Sequence, residues 1–307
     1  MGVEAESRRL YRLQVALGAA GLLLCVAALT VAARSVQVEP AGAHHITVAG
    51  LRFTYPEMDA AGIVVLALAA LGAAVLLAAM RATVAHVRAH RRLIRRLPVL
   101  GALPGYPAVR VVDLPTPMAF CAGWLRPRVY VSVGVLRRLD EAELAAVLAH
   151  EHDHRALRDP LRLALGAVLS QALFFLPVLR PLHERYGDVA ELRADAAARG
   201  ALDGAAGPLA SAMLVFGTSP SGGVAGISPE RVDSLLGLTT SWRAPRLALI
   251  AGLLTLAALV AVVWRAGGAA SAHATLNLPV ASSQPCLLVL ALVPLVACLA
   301  GALTRRA

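Results

Sequence analysis

Four apolar runs, Leu13 to Ala33, Ala60 to Met80, Leu247 to Trp264 and Cys286 to Leu303, decide most of what this chain can fold into. Each is near the ~20 residues that cross the hydrocarbon core of a bilayer as a helix. None contains an ionisable acid or base other than a cysteine thiol. A chain in lipid must satisfy its own backbone hydrogen bonds, so such runs fold as helices. With 58% hydrophobic residues the whole chain departs from an ordinary soluble enzyme. The expectation is an α-helical multi-pass membrane protein with about four spans and the lipid bilayer as its constant partner. The length of the first run, and the second span close behind it, argue against a cleaved signal peptide.

The formal charge of +10 comes entirely from arginine, since the chain has no lysine. The arginines crowd the ends of the apolar runs: Arg8, Arg9 and Arg12, then Arg81 to Arg96, then Arg243 and Arg246, then Arg305 and Arg306. By the positive-inside rule all four groups are cytoplasmic, which four crossings allow, and both termini then face the cytoplasm of a cell-membrane protein. Without aromatic interleaving or a reader motif, this basicity does not point to direct nucleic-acid binding. Of the cysteines, Cys25, Cys286 and Cys298 fall in the apolar runs, and Cys121 falls on the reducing side, so no disulfide framework is expected.

The chain divides into three regions: residues 1–97 with two spans, an external loop from Ser35 to Asp59 and a cytoplasmic helix extension; 98–240, the soluble part; and 241–307 with two further spans. In the loop, His45 to Val48 and Leu51 to Tyr55 read as short strands. Pro98, Gly101, Pro104, Gly105 and Pro107 read as a linker. Val109 to Val112 and Arg128 to Ser132 are β-branched strands, and Val135 to Leu139 is a short helical turn. Leu161 to Leu179 is apolar but holds Arg162, Gln171 and Pro177. It is expected to be a buried or re-entrant helix, or a broken hairpin, because the downstream segment must return to the same side.

The chemistry sits at His150-Glu151-His152-Asp153-His154, an H-E-x-x-H pattern. Asp140 and Glu143 form a D-x-x-E capping signal, and the Ala- and Leu-rich run to His154 has no Gly or Pro, so the pattern falls on a helix. Residues four apart lie one turn above each other, so His150 and His154 present imidazoles to one metal ion, while Glu151 offers a carboxylate for proton transfer. His152 points away and should be dispensable for the metal. The third ligand should come from another helix, and Asp188 to Asp195 supplies Glu191. Asp195, one turn on, can hold a ligand histidine in its tautomer. His183, Tyr186 and Arg193 are candidate donors to an oxyanion. Met118, Ala119, Phe120, Cys121 and Ala122 are the candidate edge strand on which an extended substrate would add as a further strand. Cys121 reads as a small buried hydrophobe more than as a ligand.

The series Met118-Ala119-Phe120, Arg128 to Ser132, Glu143 to His154 and Glu191-x-x-Ala194-Asp195 resembles the gluzincin integral-membrane zinc metallopeptidases over roughly residues 109 to 200. Two branches compete: the beta-lactam sensor-transducers (BlaR/MecR type), and the HtpX-like and CAAX-protease family. Arg158-Asp159-Pro160-Leu161 and the single apolar segment before Glu191 tilt the reading to the first. The resemblance implies a cytoplasmic α+β zincin-type metalloprotease domain, one Zn2+ per chain, and a protein or peptide substrate, a transcriptional repressor in that branch. No penicillin-binding sensor domain follows the last run, so antibiotic sensing is not carried over.

The expected reaction is hydrolysis of a peptide bond at the cytoplasmic membrane face, with zinc on His150, His154 and Glu191 and with Glu151 as base. The rivals are a quality-control protease of the HtpX-like branch and a membrane receptor or scaffold with a purely structural zinc site. Closure of the site by a fourth ligand such as His183 or Cys121 would mark the scaffold. A transporter is poorly supported, because no span carries a buried charge.

Overall fold

A computed structural model describes residues 2–35, 45–48, 51–54, 60–217, 228–238 and 245–273. Helix α1 (Val3–Ser35) precedes a hairpin of β1 (His45–Val48) and β2 (Leu51–Thr54), paired from His45 with Thr54 to Val48 with Leu51. Helix α2 (Ala60–Arg96) leads into strands β3 (Val99–Leu103), β4 (Tyr106–Val112), β5 (Ala119–Ala122) and β6 (Arg128–Ser132). Helices α3 (Val133–Leu136), α4 (Glu141–Leu157), α5 (Asp159–Ala172), α6 (Leu179–Gly200), α7 (Gly207–Gly217), α8 (Pro229–Leu235) and α9 (Arg246–His273) complete the described chain.

Three stretches, Val3–Val31, Ala67–Arg96 and Arg246–Arg265, are helices long and apolar enough to cross a membrane. They contain the first three expected spans or most of each. The fourth, Cys286 to Leu303, lies outside the described residues, as do Cys286 and Cys298. The chain is thus a mostly helical membrane protein. Its described residues divide into two compact units, one drawn from Met1–Gly21 and Leu76–Thr255, the other from Leu22–Val75 and Leu256–Ala307. In the second unit Ala28, Leu68 and Val263 form an apolar cluster with Ala27, Val31 and Leu259 around it.

The first unit carries the sheet and the helices α3 to α8. Sheet order is β3-β4-β6-β5, with β4 and β6 parallel at the centre and both outer pairings antiparallel. Val109, Val129, Val131, Val135 and Leu148 pack into one core cluster that joins the sheet to α4. Val112, Ala122 and Tyr130 form a second with Ile94, Leu97 and Phe120. The stretch expected as a Pro/Gly linker holds β3 instead. Pro104-Gly105, with Gly105 at φ +79°, turns the chain back so that β3 pairs with β4. The punctuating residues there mark a hairpin turn.

Ser132 ends β6 and caps α3: its hydroxyl accepts from the amides of Val135 at 3.1 Å and Met118 at 3.0 Å. Asp140 and Glu143 form the reciprocal capping box expected for α4. Helix α4 ends at Arg158, whose φ of 54° and ψ of 42° put it in the left-handed region. The next helix starts at once with Asp159-Pro160. Within 161–179, α5 stops at Ala172 and the chain breaks before α6. At 14 residues α5 is too short to cross a bilayer core. It packs against α1, where Leu169 presses on Gly18: a Cβ there would stand 2.7 Å from the leucine.

Candidate metal centre

The helical period turns His150, Glu151 and His154 inward from α4, and all three are buried. Helix α6 runs across them and brings Glu191. The facing Nε2 atoms of His150 and His154 are 3.2 Å apart, and the Glu191 carboxylate lies 3.5 Å from the first and 3.4 Å from the second. Among the described residues these three form the one group of His, Cys, Asp and Glu side chains close enough to share an ion. Two imidazole nitrogens and a carboxylate, all converging on a point, are a donor set that suits zinc and leaves a fourth position free.

Behind each histidine stands a buried carboxylate. Asp195 Oδ1 lies 2.9 Å from His150 Nδ1, a contact of charge and distance more than of straight hydrogen-bond geometry. Asp159 Oδ2 lies 2.8 Å from His154 Nδ1. Such partners fix the tautomer that leaves Nε2 free for an ion. Asp195 is held in turn by Arg231 of α8, whose Nε and a terminal nitrogen donate at 2.8 and 2.7 Å; the other terminal nitrogen is 3.1 Å from Glu191. Asp159 accepts from the Tyr186 hydroxyl at 2.6 Å and from Arg193.

Charge follows from this arrangement. Burial disfavours the imidazolium of both histidines, but the close carboxylates of Asp195 and Glu191 raise His150, and those of Asp159 and Glu191 raise His154 to about 10. Burial opposes ionisation of Glu191, yet the two histidines hold it far below the usual carboxylate range. Asp195 and Asp159 are likewise held low against their burial, the first by His150 and Arg231, the second by His154, Tyr186 and Arg193. Glu151 differs: burial pushes its carboxyl up, and the nearby histidines only partly offset that. An upward shift moves a carboxylate towards the range where it exchanges protons near neutrality.

The other candidates divide. His152 is exposed and turned from the group, as its place on the helix requires. Strand β5 forms the outer edge of its sheet and covers Ala119 to Ala122, with Met118 just before it. It lies beside the site, for the charges of Glu151 and Asp159 add to burial in pushing the Cys121 thiol to about 12. Cys121 stands outside the metal group. Two of the three suggested oxyanion donors are engaged in the polar network behind the site. The Tyr186 hydroxyl is committed to Asp159, and Arg193 spends its nitrogens on Asp153, Ser7 and Asp159. His183 has a buried Nδ1 that faces Gly166 near Gln14.

Two residues of the centre have no counterpart in the sequence reading. Asp159 entered the sequence analysis only within Arg158-Asp159-Pro160-Leu161, although an Asp-Pro at a helix start can aim its carboxylate back at the preceding turn. Arg231 follows a Ser-Pro-Glu helix start, and nothing in that pattern announces a partner 36 residues upstream. Ser7 and Glu6 of α1 also reach this unit's polar network, through Arg193 and Arg185 respectively.

Residues 85–215, which include both α4 and Glu191, match the model of peptidase family M48. Over 94 residues the chain is 38% identical to a protease HtpX homolog of Acidiphilium cryptum (strain JF-5), covering 29% of this chain and 32% of that protein. It is 36% identical over 85 residues to protease HtpX of Nitrosococcus oceani, covering 26% and 29%. It is 37% identical over 86 residues to protease HtpX homolog 2 of Methanosarcina mazei, covering 27% and 29%. The chain thus spans about a third of the length of these curated relatives. No solved structure is matched. The likeness is to membrane zinc metallopeptidases, and these relatives carry the name of the HtpX-like branch, the second of the two.

Proposed function

We propose that the chain is a zinc-dependent metalloendopeptidase of the membrane, with its peptidase part in 98–240 between membrane regions 1–97 and 241–307. The observation that carries this reading is the meeting of His150, His154 and Glu191 from two helices at one point, with buried Glu151 on the next position of α4. A structural zinc site needs four ligands and no base, and this group has three ligands and a base. Both termini and the site face the cytoplasm, on the strength of the arginines at the apolar ends.

Zinc, when bound, supplies a Lewis acid that polarises the scissile carbonyl and acidifies water. The chain's own residues do the rest. Asp195 and Asp159 keep the two imidazoles turned with Nε2 towards the ion, and Arg231 steadies Glu191 and Asp195. Glu151 takes a proton from the attacking water and delivers it to the leaving amine. An extended substrate adds to the open edge of β5, where backbone hydrogen bonds hold its scissile bond beside Glu151.

The names of the relatives favour the HtpX-like quality-control protease over the cleavage of a transcriptional repressor implied by the sensor-transducer resemblance. The test is cleavage of an unstructured protein by the full chain in detergent. Activity is expected to disappear with a chelator and return with zinc. A chain that binds zinc yet cleaves nothing would favour the structural-scaffold reading instead. Mapping products in native membranes separates repressor from bulk substrates.

A further inference from the structure

The metal helix has a second flank that the peptidase reading leaves unused. There a hollow of about 620 Å³ is lined by Arg110 of β4, Arg126 and Arg128 at the turn into β6, and His152, Arg155 and Arg158 at the end of α4. No acidic residue lines it. Guanidinium groups stay protonated at any working pH, so five positive charges from three parts of the fold face one space.

Elsewhere in this unit the buried arginines are neutralised: Arg185, Arg193 and Arg231 each hold carboxylates. Among the described residues none of the five arginines of the hollow has a carboxylate within 4.0 Å. They are nonetheless positioned. Arg155 Nε donates to the Pro127 carbonyl at 3.3 Å, tying α4 to the turn that carries Arg126 and Arg128. Arg158 occupies the left-handed region at φ 54°, a conformation that costs energy for a residue with a Cβ and that is kept where the surroundings require it. Like charges gathered and held in this way repel one another, and an anion between them converts that repulsion into attraction.

We propose that this hollow binds a phosphate-bearing anion. Forked guanidiniums match phosphate oxygens two at a time, and several of them around one space suit a ligand with more than one negative charge. The volume falls within the ~300–1,000 Å³ range of small-molecule sites. Leu125, also on its wall, is 76% exposed and offers an apolar surface beside the cations, as a lipid headgroup with its glycerol would use. Free phosphate compounds and anionic phospholipids share the chemistry, and two arms of one experiment separate them.

The full chain in detergent is titrated with inorganic pyrophosphate by calorimetry. In parallel, it is reconstituted in phosphatidylcholine vesicles with or without phosphatidylglycerol, re-extracted, and its retained lipid is counted by native mass spectrometry. Each measurement compares wild type, Arg126→Gln/Arg158→Gln, and the charge-matched surface control Arg137→Gln/Arg138→Gln. The expected result is binding of at least one probe, weakened at least about tenfold in the hollow variant and unchanged in the control. Pyrophosphate binding points to a free phosphate compound, and selective retention of phosphatidylglycerol points to the headgroup. Arg126→Lys/Arg158→Lys keeps the charge and guards against a folding defect; it should bind less tightly than wild type and more tightly than the glutamine variant. Equal weakening in hollow and control variants, binding of neither probe, or binding of an oligoglutamate peptide alone overturns the proposal.

Discussion

Replacing Asp159 by Asn tests how far the centre depends on a residue one step behind its ligands. Asp159 is 1% exposed and its carboxylate accepts from His154 at 2.8 Å, from Tyr186 at 2.6 Å and from Arg193. Asparagine has nearly the same shape but no charge. Hydrogen bonds to a charged group are worth roughly twice neutral ones, so each contact weakens by about 1 kcal/mol, or about 3 kcal/mol in all. That is the lower end of the ~3–5 kcal/mol for breaking a buried ion pair, as befits an Arg193 that keeps Asp153 at 2.7 Å. Thermal unfolding of the detergent-solubilised full chain should show a Tm lower by about 6–12 °C, using ~2–4 °C per kcal/mol. Zinc affinity, read by competition with a chelating dye, should fall about 10–100-fold because His154 loses the partner that orients it. A Tm shift under about 2 °C with zinc affinity unchanged would refute the reasoning, since it would mean that the buried carboxylate carries neither load.

Three further outcomes are expected from the same geometry. Arg231→Gln removes the paired bond to Asp195 and the contact to Glu191, and should weaken zinc about 10–100-fold in the same dye competition while leaving the helical content of the chain intact; unchanged affinity would make Arg231 a bystander. The metal-free chain should lose stability as pH rises. His154 is raised from 6.5 to about 10, so the stability it contributes is complete below about 6.5 and is lost as pH climbs through about 10; Tm measured in excess chelator should fall over that window, and a flat or rising Tm would contradict the assignment. His152→Ala should keep the full zinc content by elemental analysis, and loss of the metal would show that the helix has been misread.

What the sequence disclosed was what local periodicity can encode. The H-E-x-x-H spacing, the Asp140-Glu143 box and the first three apolar runs all express themselves within a helix, and each reappears among the described residues as a helix, a cap or an apolar stretch. Glu191 could be reached because the short charged stretch from Asp188 to Asp195 offers few carboxylates, and Glu191 and Asp195 lie one turn apart on it. Arg231 and Asp159 could not. Their partners are set by how α8 and the α4–α5 junction dock, and tertiary docking leaves no trace in spacing. Strand β3 was hidden because Pro104 and Gly105 serve a hairpin turn as well as they would serve a linker. Arg193 and Tyr186 have the right chemistry for an oxyanion donor. Only the structure reveals that the Tyr186 hydroxyl is committed to Asp159 and that Arg193 is shared among Asp153, Ser7 and Asp159.

In the proposed mechanism Glu151 moves the proton at a site whose metal is held by other residues. The most direct measurement is therefore zinc content and peptide-bond cleavage on the same preparation of Glu151→Gln. The variant should hold a full complement of zinc and cleave about 10²–10⁴-fold more slowly, the usual contribution of a positioned general base. A zinc-loaded variant that cleaves as fast as wild type would contradict that mechanism.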